Sequence, residues 1–425
     1  MTTKQASRTE PDYVLVMIIA SLLAAGLLMV YSASFAMAAA DGLPSGYYFW
    51  RQCGWAAVGL VGLAVMYLVD YHFWQRLAIP VLAATLLVLL AVLLFGDDLF
   101  GARRTLFNGH VQPSEMAKLT VIIYVAAWLA SKGNKLQKAS YGLIPFACLI
   151  GIVAALIGLE PDLSTSVLVV LVGLVMFFLG GADVRQLVIS LAGTVGTFTL
   201  FIVISGYGHS RIREWMEAVR DPLIRDGTWT LTSGGATGKG LGDGIARWLR
   251  GAVLPHTDGI FSVLGEEAGL IGSLIVVALF AAFAYRGFRV AGRAPSQYAM
   301  LVAAGITIWL IAQALIHISV AVALVPVTGM TLPFMSYGGS SLVTCLAAAG
   351  LLLNISRQSG GEKRKEVIRR EALDFRRGNR GSRLSPSDRR GDSAGHHAGR
   401  SRASGKGRPK SRARHLSTDY RRRST

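Results

Sequence analysis

The sequence predicts an all-α integral membrane protein with about ten transmembrane helices. Hydrophobic residues make up 52% of the 425 residues, and the mean hydropathy is positive, at +0.46. The apolar residues form runs of about twenty, the length that a helix needs to cross roughly 30 Å of hydrocarbon. Strand alternation and amphipathic stripes, which a globular domain of this length would show, are scarce before Arg357. These observations exclude a soluble globular fold.

The first apolar run is predicted to be a retained span. It is longer than the core of a signal peptide, and it follows a polar segment that contains Lys4, Arg8, Glu10 and Asp12. With the runs that follow, the predicted spans are 14–38, 52–69, 77–95, 116–131, 141–159, 163–181, 187–206, 263–285, 299–322 and 337–356.

Loop charges predict the orientation of these spans. An even number of spans places both termini on one side of the membrane, and the short loops on that side carry eight Lys or Arg against three on the other. Positive loops stay in the cytoplasm, so both termini are predicted inside and the large loop 207–262 outside. That loop contains Trp215, Trp229 and Trp248 with apolar positions between its charges. We therefore expect it to be ordered.

The basic charge is concentrated at the C-terminal end. From Arg357 to Thr425 there are 22 Lys or Arg against 7 Asp or Glu, whereas the whole chain has a net charge of +18. This distribution argues against a nucleic-acid-binding surface on the membrane domain. Residues 1–13 are predicted to be a cytoplasmic N-terminus, 14–356 the membrane domain, and 357–425 a disordered cytoplasmic tail. The tail could be attracted to anionic membrane lipids or could dock a protein partner.

Ionisable residues collect at the predicted outer ends of the spans. Such residues cost several kcal/mol inside a bilayer unless they pair or face water, so a cluster of them indicates a functional cavity. Glu115 and Lys118 are three residues apart and share a helix face, so they could equally form only an ion pair. The candidates on this side are Arg103, Arg104, Glu115, Lys118, Glu160, Asp162, Lys239, Asp258, Glu266 and Glu267.

The segment Val327–Leu342, VTGMTLPFMSYGGSSL, is unusually polar for the start of a span. Its candidates for contact with a ligand are Ser336, Gly338, Gly339 and Ser340. The small residues could simply allow close helix packing. Alternatively, a broken helix could line a polar cavity, because a bilayer tolerates irregular backbone only where it is shielded from lipid.

The stretch LPHTDGIF, which precedes the eighth predicted span, contains an acid with two possible roles. An Asp or Thr just before an apolar helix is a typical N-cap, which accepts a hydrogen bond from an unpaired amide. Asp258 or Thr257 could serve this purpose. Asp258 could instead be a catalytic group, and local sequence alone slightly favours the cap.

Together these motifs resemble one family. GARR with QPSEMAK, EPDLSTS, SGGATGKGLG, LPHTDGIFSVLGEEAGLIG, TGMTLPFMSYGGSSL and LNISR are similar to motifs of the SEDS proteins of bacterial shape, elongation, division and sporulation. The resemblance extends over residues 14 to 357. Within the family, VYSAS, TLPFMSYGGSS and LNISR are more similar to the division branch than to the elongation branch.

This resemblance implies a peptidoglycan glycosyltransferase. Such an enzyme polymerises lipid II at the outer face of the bacterial cytoplasmic membrane, with a class B penicillin-binding protein as its crosslinking partner and other divisome proteins at the septum. The family motif similar to HTDFIF carries the catalytic acid, which matches Asp258. Glycosyl transfer needs a base for the acceptor hydroxyl and positive charge for the leaving pyrophosphate.

The basic candidates would serve the leaving pyrophosphate. They are Arg103, Arg104, Lys118 and Lys239, acting directly or beside a divalent cation such as Mg or Mn. The sequence contains no dedicated metal-ligand motif, so the substrate would hold most of such a cation. The rival functions are a lipid II flippase and a non-enzymatic divisome scaffold, and a flippase predicts charges deep within several spans.

Three positions depart from the family pattern. Gly259 replaces an aromatic residue directly after the candidate acid, and Thr105 replaces a Trp after GARR. Glu160 replaces a common glutamine and brings a second acid close to Asp162. None of these changes removes the acid or the basic residues, so the implied activity stands.

Overall fold

The structure is a computed structural model. It describes residues 10–99, 102–105, 111–205, 213, 215–216, 232–244 and 254–378, and it does not describe the side chains of 97–104, 134, 204–205 and 360–378. The chain divides into two compact units, Met1–Arg370 and Glu371–Thr425, and the contacts given below belong to the first unit. The expectations for Trp229, Trp248 and residues 379–425 lie outside the described residues.

The described residues form a helical protein with one small hairpin. The helices are α1 (Tyr13–Ala40), α2 (Tyr47–Leu68), α3 (Tyr71–Arg76), α4 (Ala78–Phe95), α5 (Pro113–Lys132), α6 (Leu143–Leu159), α7 (Leu163–Leu179), α8 (Val184–Ser205), α9 (Ile260–Ala291), α10 (Gln297–Ala321) and α11 (Gly339–Gly378). Strands β1 (Asp97–Leu99) and β2 (Ala102–Thr105) pair antiparallel between α4 and α5.

The predicted all-α membrane fold is confirmed. Each predicted span corresponds to one of these helices, and α3 is a short addition between α2 and α4. Within the described residues, 8 helices are long and apolar enough to cross a membrane, and α6 and α7 are shorter apolar helices. The polar segment after α4, which the sequence predicts to be more than a connector, contains the hairpin.

Side-chain caps fix the starts of several helices. Asp12 accepts a hydrogen bond from the amide of Leu15 (3.1 Å) at the start of α1. Asp162 accepts one from Thr165 (3.1 Å) at the start of α7. Each bond satisfies an amide that has no partner within its own helix, which stabilises that helix start by about 1 kcal/mol.

Two sets of contacts define the opposite faces of the helix bundle. Asp12 of α1 pairs with Arg286 at the end of α9, and its amide contacts Ser356 of α11. The start of α1 and residue 356 therefore lie at the same face, as an even number of spans requires. At the other face, the hydroxyl of Ser164 at the start of α7 donates to the carbonyl of Thr328 before α11 (2.8 Å).

The centre of the bundle contains α5, α10 and the first part of α11. Within their spanning windows, 67% of the residues of α5 and α10 are buried, against 6% for α8. Small residues allow this close packing. A Cβ atom on Gly350 would lie only 2.3 Å from the carbonyl oxygen of Leu63, so α11 and α2 approach to backbone distance there.

The last helix is longer than the sequence predicts. The tenth span was expected to end at residue 356, and 357 onwards was expected to be disordered, but α11 continues to Gly378. Residues 357–378 are therefore helical. Their high content of charged residues is compatible with a helix that leaves the bilayer, because Glu, Lys and Arg are good helix formers.

Candidate active site

Asp258 closes a tight turn directly before α9. One carboxylate oxygen, Oδ1, accepts hydrogen bonds from the amide of Leu254 and from the hydroxyl of Thr257, both at 3.0 Å. The N-cap of α9 is Gly259, and it has no side-chain cap bond. Gly259, rather than Asp258 or Thr257, therefore occupies the N-cap position, and the cap alternative is not the arrangement in the structure. The carboxylate is half-buried and shapes the turn that presents it.

The backbone at Gly259 does not require a glycine. Its φ of −96° is accessible to any residue, and the carbonyl of Gly259 accepts hydrogen bonds from Ser262 and Val263 in the first turn of α9. The departure from the family pattern at this position therefore removes a side chain without a compensating need for positive φ. The turn is held instead by the hydrogen bonds of Asp258 with Leu254 and Thr257.

His256 anchors the turn to the segment before α11. Its side chain is 3% exposed, and its carbonyl accepts a hydrogen bond from the amide of Tyr337 (2.8 Å). The imidazole ring packs against the rings of Tyr48 and Tyr337, with centroid distances of 5.1 and 5.2 Å, and the two tyrosine rings are themselves 5.5 Å apart. Burial lowers the pKa of His256 to about 4, so the ring is neutral at pH 7. The local sequence does not indicate this role for His256, because its aromatic neighbours are distant along the chain.

The polar segment before α11 has irregular backbone that neighbouring side chains satisfy. The hydroxyl of Ser336 accepts from the amide of Leu332 (2.7 Å). Gln52 of α2 donates to the carbonyl of Ser336 (3.0 Å) and accepts from the amide of Gly338 (3.4 Å). The helix itself begins only at Gly339. Ser336 and Gly338 therefore have identifiable structural contacts in addition to any contact with substrate.

Close packing explains why residue 339 is a glycine. A Cβ atom there would lie 2.4 Å from the indole of Trp55, so only glycine fits under this ring. One residue later, the carbonyl of Ser340 accepts a hydrogen bond from the hydroxyl of Thr344 (2.8 Å). Small-residue packing therefore accounts for Gly339, and the backbone before it is irregular; a polar cavity lined by this segment stays a prediction.

Glu115 and Lys118 form the ion pair that their spacing predicts. The Nζ atom of Lys118 is 2.8 Å from Oε2 of Glu115, and the two side chains are only 2% and 9% exposed. Lys118 also donates to Oε1 of Gln313 in α10 (3.1 Å), while the amide group of Gln313 donates to the carbonyl of Thr331 (2.8 Å). The pair is therefore connected to the same irregular segment that anchors the His256 turn.

The start of α7 carries two acids with different environments. Asp162 accepts hydrogen bonds from Gln112 (2.9 Å) and Ser114 (3.0 Å), which join the start of α5 to that of α7. Glu160 is fully buried, and no described residue donates a hydrogen bond to either carboxyl oxygen. Burial, together with the nearby charge of Asp162, raises the pKa of Glu160 to about 8. Glu160 is therefore mostly protonated at pH 7.

A glycine-rich loop fits into a break in α9. At Gly269 the backbone leaves the helical region (φ 68°, ψ −167°). The amides of Leu270 and Ile271 then donate to the carbonyls of Gly235 and Ala236, at 3.0 and 3.1 Å. In this way residues of the large outer loop satisfy backbone groups that the interrupted helix cannot pair. The sequence predicts an ordered loop but not the break.

The same loop brings Lys239 to an acid of α9. The Nζ atom of Lys239 is 2.7 Å from Oε1 of Glu266, whose side chain is fully buried. The neighbouring Glu267 accepts from the hydroxyl of Ser32 in α1, with distances of 2.7 and 2.6 Å to its two oxygens. Lys239 is thus an ion-pair partner in this structure. Ser32 belongs to the VYSAS motif, and this contact gives that motif a physical role.

The two arginines proposed for the pyrophosphate lie on the β1–β2 hairpin. Arg103 lies opposite Asp98 in the β1–β2 register, and Arg104 follows it in β2. Across the residues that the structure describes, no three His, Cys, Asp or Glu side chains converge to form a possible ion site.

Comparisons with known proteins match this fold and these motifs. The model of the FTSW_RODA_SPOVE family, described as a cell cycle protein, matches residues 13–361. The chain is 35% identical over 360 residues to a probable peptidoglycan glycosyltransferase FtsW of Trichlorobacter lovleyi, covering 82% of this chain and 93% of the relative. It is 36% identical over 372 residues to stage V sporulation protein E of Bacillus subtilis, covering 84% and 100%.

The fold is also similar to that of a solved structure. The match is a chain in a study of polymerization and crosslinking by a peptidoglycan synthase complex. The TM-score is 0.67 at 28% sequence identity, and the match covers 82% of this chain and 98% of the other. The match to the family model, over residues 13–361, includes the membrane-spanning helices and the loops described above.

Proposed function

The chain belongs to the FtsW, RodA and SpoVE family of cell cycle proteins, and we propose that it polymerises lipid II at the outer face of the cytoplasmic membrane. It is an FtsW-like peptidoglycan glycosyltransferase. We further propose that it acts in cell division, together with a class B penicillin-binding protein that crosslinks the new strands. The likeness to a chain of a peptidoglycan synthase complex supports this partner.

The geometry around Asp258 carries the proposal. A half-buried carboxylate is fixed at the outer end of α9 by two hydrogen bonds to one oxygen. The turn that holds it is tied through His256 to the amide of Tyr337. That polar segment connects onwards through Thr331 and Gln313 to the buried Lys118. An oriented acid beside a polar segment is the arrangement that a general base for glycosyl transfer needs.

In the proposed mechanism, Asp258 takes the proton from the acceptor sugar hydroxyl as that oxygen attacks the anomeric carbon of the donor. The bond between this carbon and the pyrophosphate oxygen breaks, and the electron pair leaves with the lipid pyrophosphate. The hydrogen bonds from Leu254 and Thr257 hold the carboxylate in one orientation.

The leaving pyrophosphate needs positive charge nearby. Lys118 and Lys239 are both engaged by buried acids, Glu115 and Glu266. A lysine that already pairs with a carboxylate offers less net charge to a phosphate. We therefore propose that the arginines of the hairpin, Arg103 and Arg104, make the larger contribution, and that any divalent cation is held mainly by the pyrophosphate.

The positions of the charges favour polymerisation over the rival functions. A flippase predicts ionisable groups deep within several spans. In the described helices, Glu115 and Lys118 lie within the first six residues of α5, and Glu266 and Glu267 lie within the first eight residues of α9. These are the outer ends of the spans, where a translocated substrate would be used. A scaffold function has no need for an oriented half-buried carboxylate.

A conservative variant tests the assignment. Asp258→Asn keeps an oxygen that can accept from Leu254 and Thr257, so it removes the base without removing the turn. In a purified complex with the crosslinking partner, we expect its polymerisation rate from lipid II to fall by about 10²–10⁴-fold. The matched control is Asp243→Asn, an exposed acid in the same outer loop, and we expect it to polymerise like the native chain.

Two results would contradict the proposal. Unchanged polymer length and rate in Asp258→Asn would exclude this residue as the base. Lipid II translocation by liposomes that contain only this protein, at equal rates for the native chain and the Asp258→Asn variant, would support the flippase instead. Circular dichroism and elution volume of both variants establish that each is folded.

A further inference from the structure

A pocket at the face opposite Asp258 is lined by basic residues that have no role in the proposed glycosyl transfer. It lies between the start of α1, the end of α9 and residues 356–359 of α11, with a volume of about 400 Å³. Its polar lining includes Arg286, Arg289, Arg293, Ser356 and Ser359. This volume falls within the usual range for small-molecule sites.

The arginines provide most of the unused hydrogen-bonding capacity in this pocket. The hydroxyl groups of Ser356 and Ser359 already donate to the backbone carbonyls of Leu353 and Ile355, both at 2.8 Å. Arg286 pairs with Asp12 through one Nη atom, while its buried Nε has no hydrogen-bond partner among the residues that the structure describes.

The remaining arginines, Arg289 and Arg293, are exposed and have no ion-pair partner among the described residues. Residues 286, 289 and 293 are spaced three and four apart, so their side chains project from one face of α9. Three arginines face two carboxylates, Glu10 and Asp12, and Asp12 is engaged by Arg286. The pocket therefore carries a net positive charge with guanidinium donors available for an anion.

The location of the pocket indicates what that anion is attached to. The arginines lie at the end of a spanning helix, on the side that the loop charges predict to be cytoplasmic. Beside them, Tyr13 and Val14 line the pocket. These two side chains and Met17, one turn further along α1, are 58%, 51% and 65% exposed, as expected for a surface that faces lipid. A ligand with a phosphate head and apolar chains would match both the arginines and this apolar surface.

We propose that this pocket binds the phosphate of an anionic phospholipid in the inner leaflet. Arg289 and Arg293 donate to the phosphate oxygens in the fork geometry that guanidinium groups form with phosphate. The acyl chains follow the exposed apolar surface of α1. Basic pockets between spanning helices on the cytoplasmic side bind such headgroups in other membrane proteins. A bound lipid would connect α1 to α9 at the face opposite Asp258.

Native mass spectrometry of the full chain in detergent tests this proposal. The probes are phosphatidylglycerol, cardiolipin and, as the neutral reference, phosphatidylcholine, each added at the same molar ratio. We expect the native chain to retain the two anionic lipids preferentially. The double variant Arg289→Gln with Arg293→Gln should retain them at least about tenfold less, because it loses two charged phosphate contacts.

A matched control distinguishes a pocket from general surface charge. Arg76→Gln with Arg185→Gln removes two exposed arginines that are predicted to be cytoplasmic but do not line the pocket. We expect this variant to retain anionic lipid like the native chain. Equal loss of lipid in both double variants, or equal retention of phosphatidylcholine and phosphatidylglycerol, would overturn the proposal.

A second measurement separates a lipid headgroup from a free anion. Thermal unfolding in detergent is followed with phosphatidylglycerol or with inorganic phosphate added. We expect phosphatidylglycerol to raise the midpoint of the native chain but not of the pocket variant, and phosphate alone to have a smaller effect. An equal rise with inorganic phosphate would show a site for the free anion and overturn the lipid assignment. If the double variant does not fold, the single variant Arg289→Gln takes its place in both measurements.

Discussion

Replacing Lys118 by Met tests whether the buried ion pair has only a structural role. Lys118 and Glu115 lie 2.8 Å apart and are almost completely buried, so Lys118→Met leaves a carboxylate without its counter-charge. Removing one partner of a buried pair typically costs about 3–5 kcal/mol. Lys118 also donates to Gln313, and that bond is lost too. We therefore expect the free energy of unfolding to fall by at least about 3 kcal/mol.

The double variant Glu115→Gln with Lys118→Met separates stability from activity. It removes both charges, so the destabilisation should shrink to within about 1 kcal/mol of the native chain. Stability is measured by denaturant or thermal unfolding in detergent, and activity by strand synthesis from lipid II. If Lys118 contacts the leaving pyrophosphate, the double variant is stable but remains slow. If the pair is only structural, polymerisation recovers with stability.

Two outcomes would refute this reasoning. A Lys118→Met variant as stable as the native chain would show that Glu115 does not need this counter-charge. A double variant as unstable as Lys118→Met would show that the loss comes from the Gln313 bond or from packing rather than from an unpaired carboxylate. Glu115→Gln alone serves as the control, because it leaves Lys118 with its contact to Gln313.

Three further predictions concern the loops. Gly238→Ala should destabilise the protein by at least about 1 kcal/mol more than Gly235→Ala in thermal unfolding. Both glycines have positive φ, but a new Cβ at Gly238 would lie 2.1 Å from the carbonyl of Glu267, whereas at Gly235 no atom lies within 4 Å; equal losses would contradict the packing argument. Glu160→Gln should leave stability unchanged near pH 4.5 and raise it by roughly 3–5 kcal/mol near pH 8, because the folded pKa of about 8 lies above the ordinary value. Unfolding curves at these two pH values check the difference, and a pH-independent effect would refute it. For His256 the folded pKa of about 4 lies below the ordinary 6.5, so the native chain should lose roughly 3 kcal/mol as the pH falls from 6.5 to 4. His256→Phe should lack that loss, and parallel pH curves for the two chains would count against a buried neutral imidazole.

The spans and local pairs of this protein were predictable because they depend on short-range patterns. A run of apolar residues identifies a spanning helix regardless of its neighbours. The three-residue spacing of Glu115 and Lys118 on one helix predicts their ion pair, which the structure contains. The family resemblance, rather than spacing, singled out Asp258.

The long-range contacts were not predictable from one sequence. Lys239 reaches Glu266 across 27 positions, and Ser32 reaches Glu267 across 235. Residues so far apart along the chain leave no local sequence pattern. The break at Gly269 depends on amides that pair with the glycine-rich loop, so the sequence of α9 alone reads as an uninterrupted helix. Helical periodicity cannot reveal a conformation that another segment stabilises.

The two alternatives for Asp258, helix cap and catalytic base, show why local reasoning could not decide its role. A helix cap and a base in a tight turn require the same residue type before the same apolar run. The difference lies in which amide the carboxylate accepts from. Here that amide belongs to Leu254, four residues earlier, and the turn is closed further by the bond from the amide of Gly259 to the carbonyl of Leu254 (3.0 Å). These bonds direct the carboxylate back into its own turn, and the N-cap position of α9 belongs to Gly259. A loss of activity in Asp258→Asn with unchanged stability would therefore report on the chemistry of the carboxylate rather than on the helix.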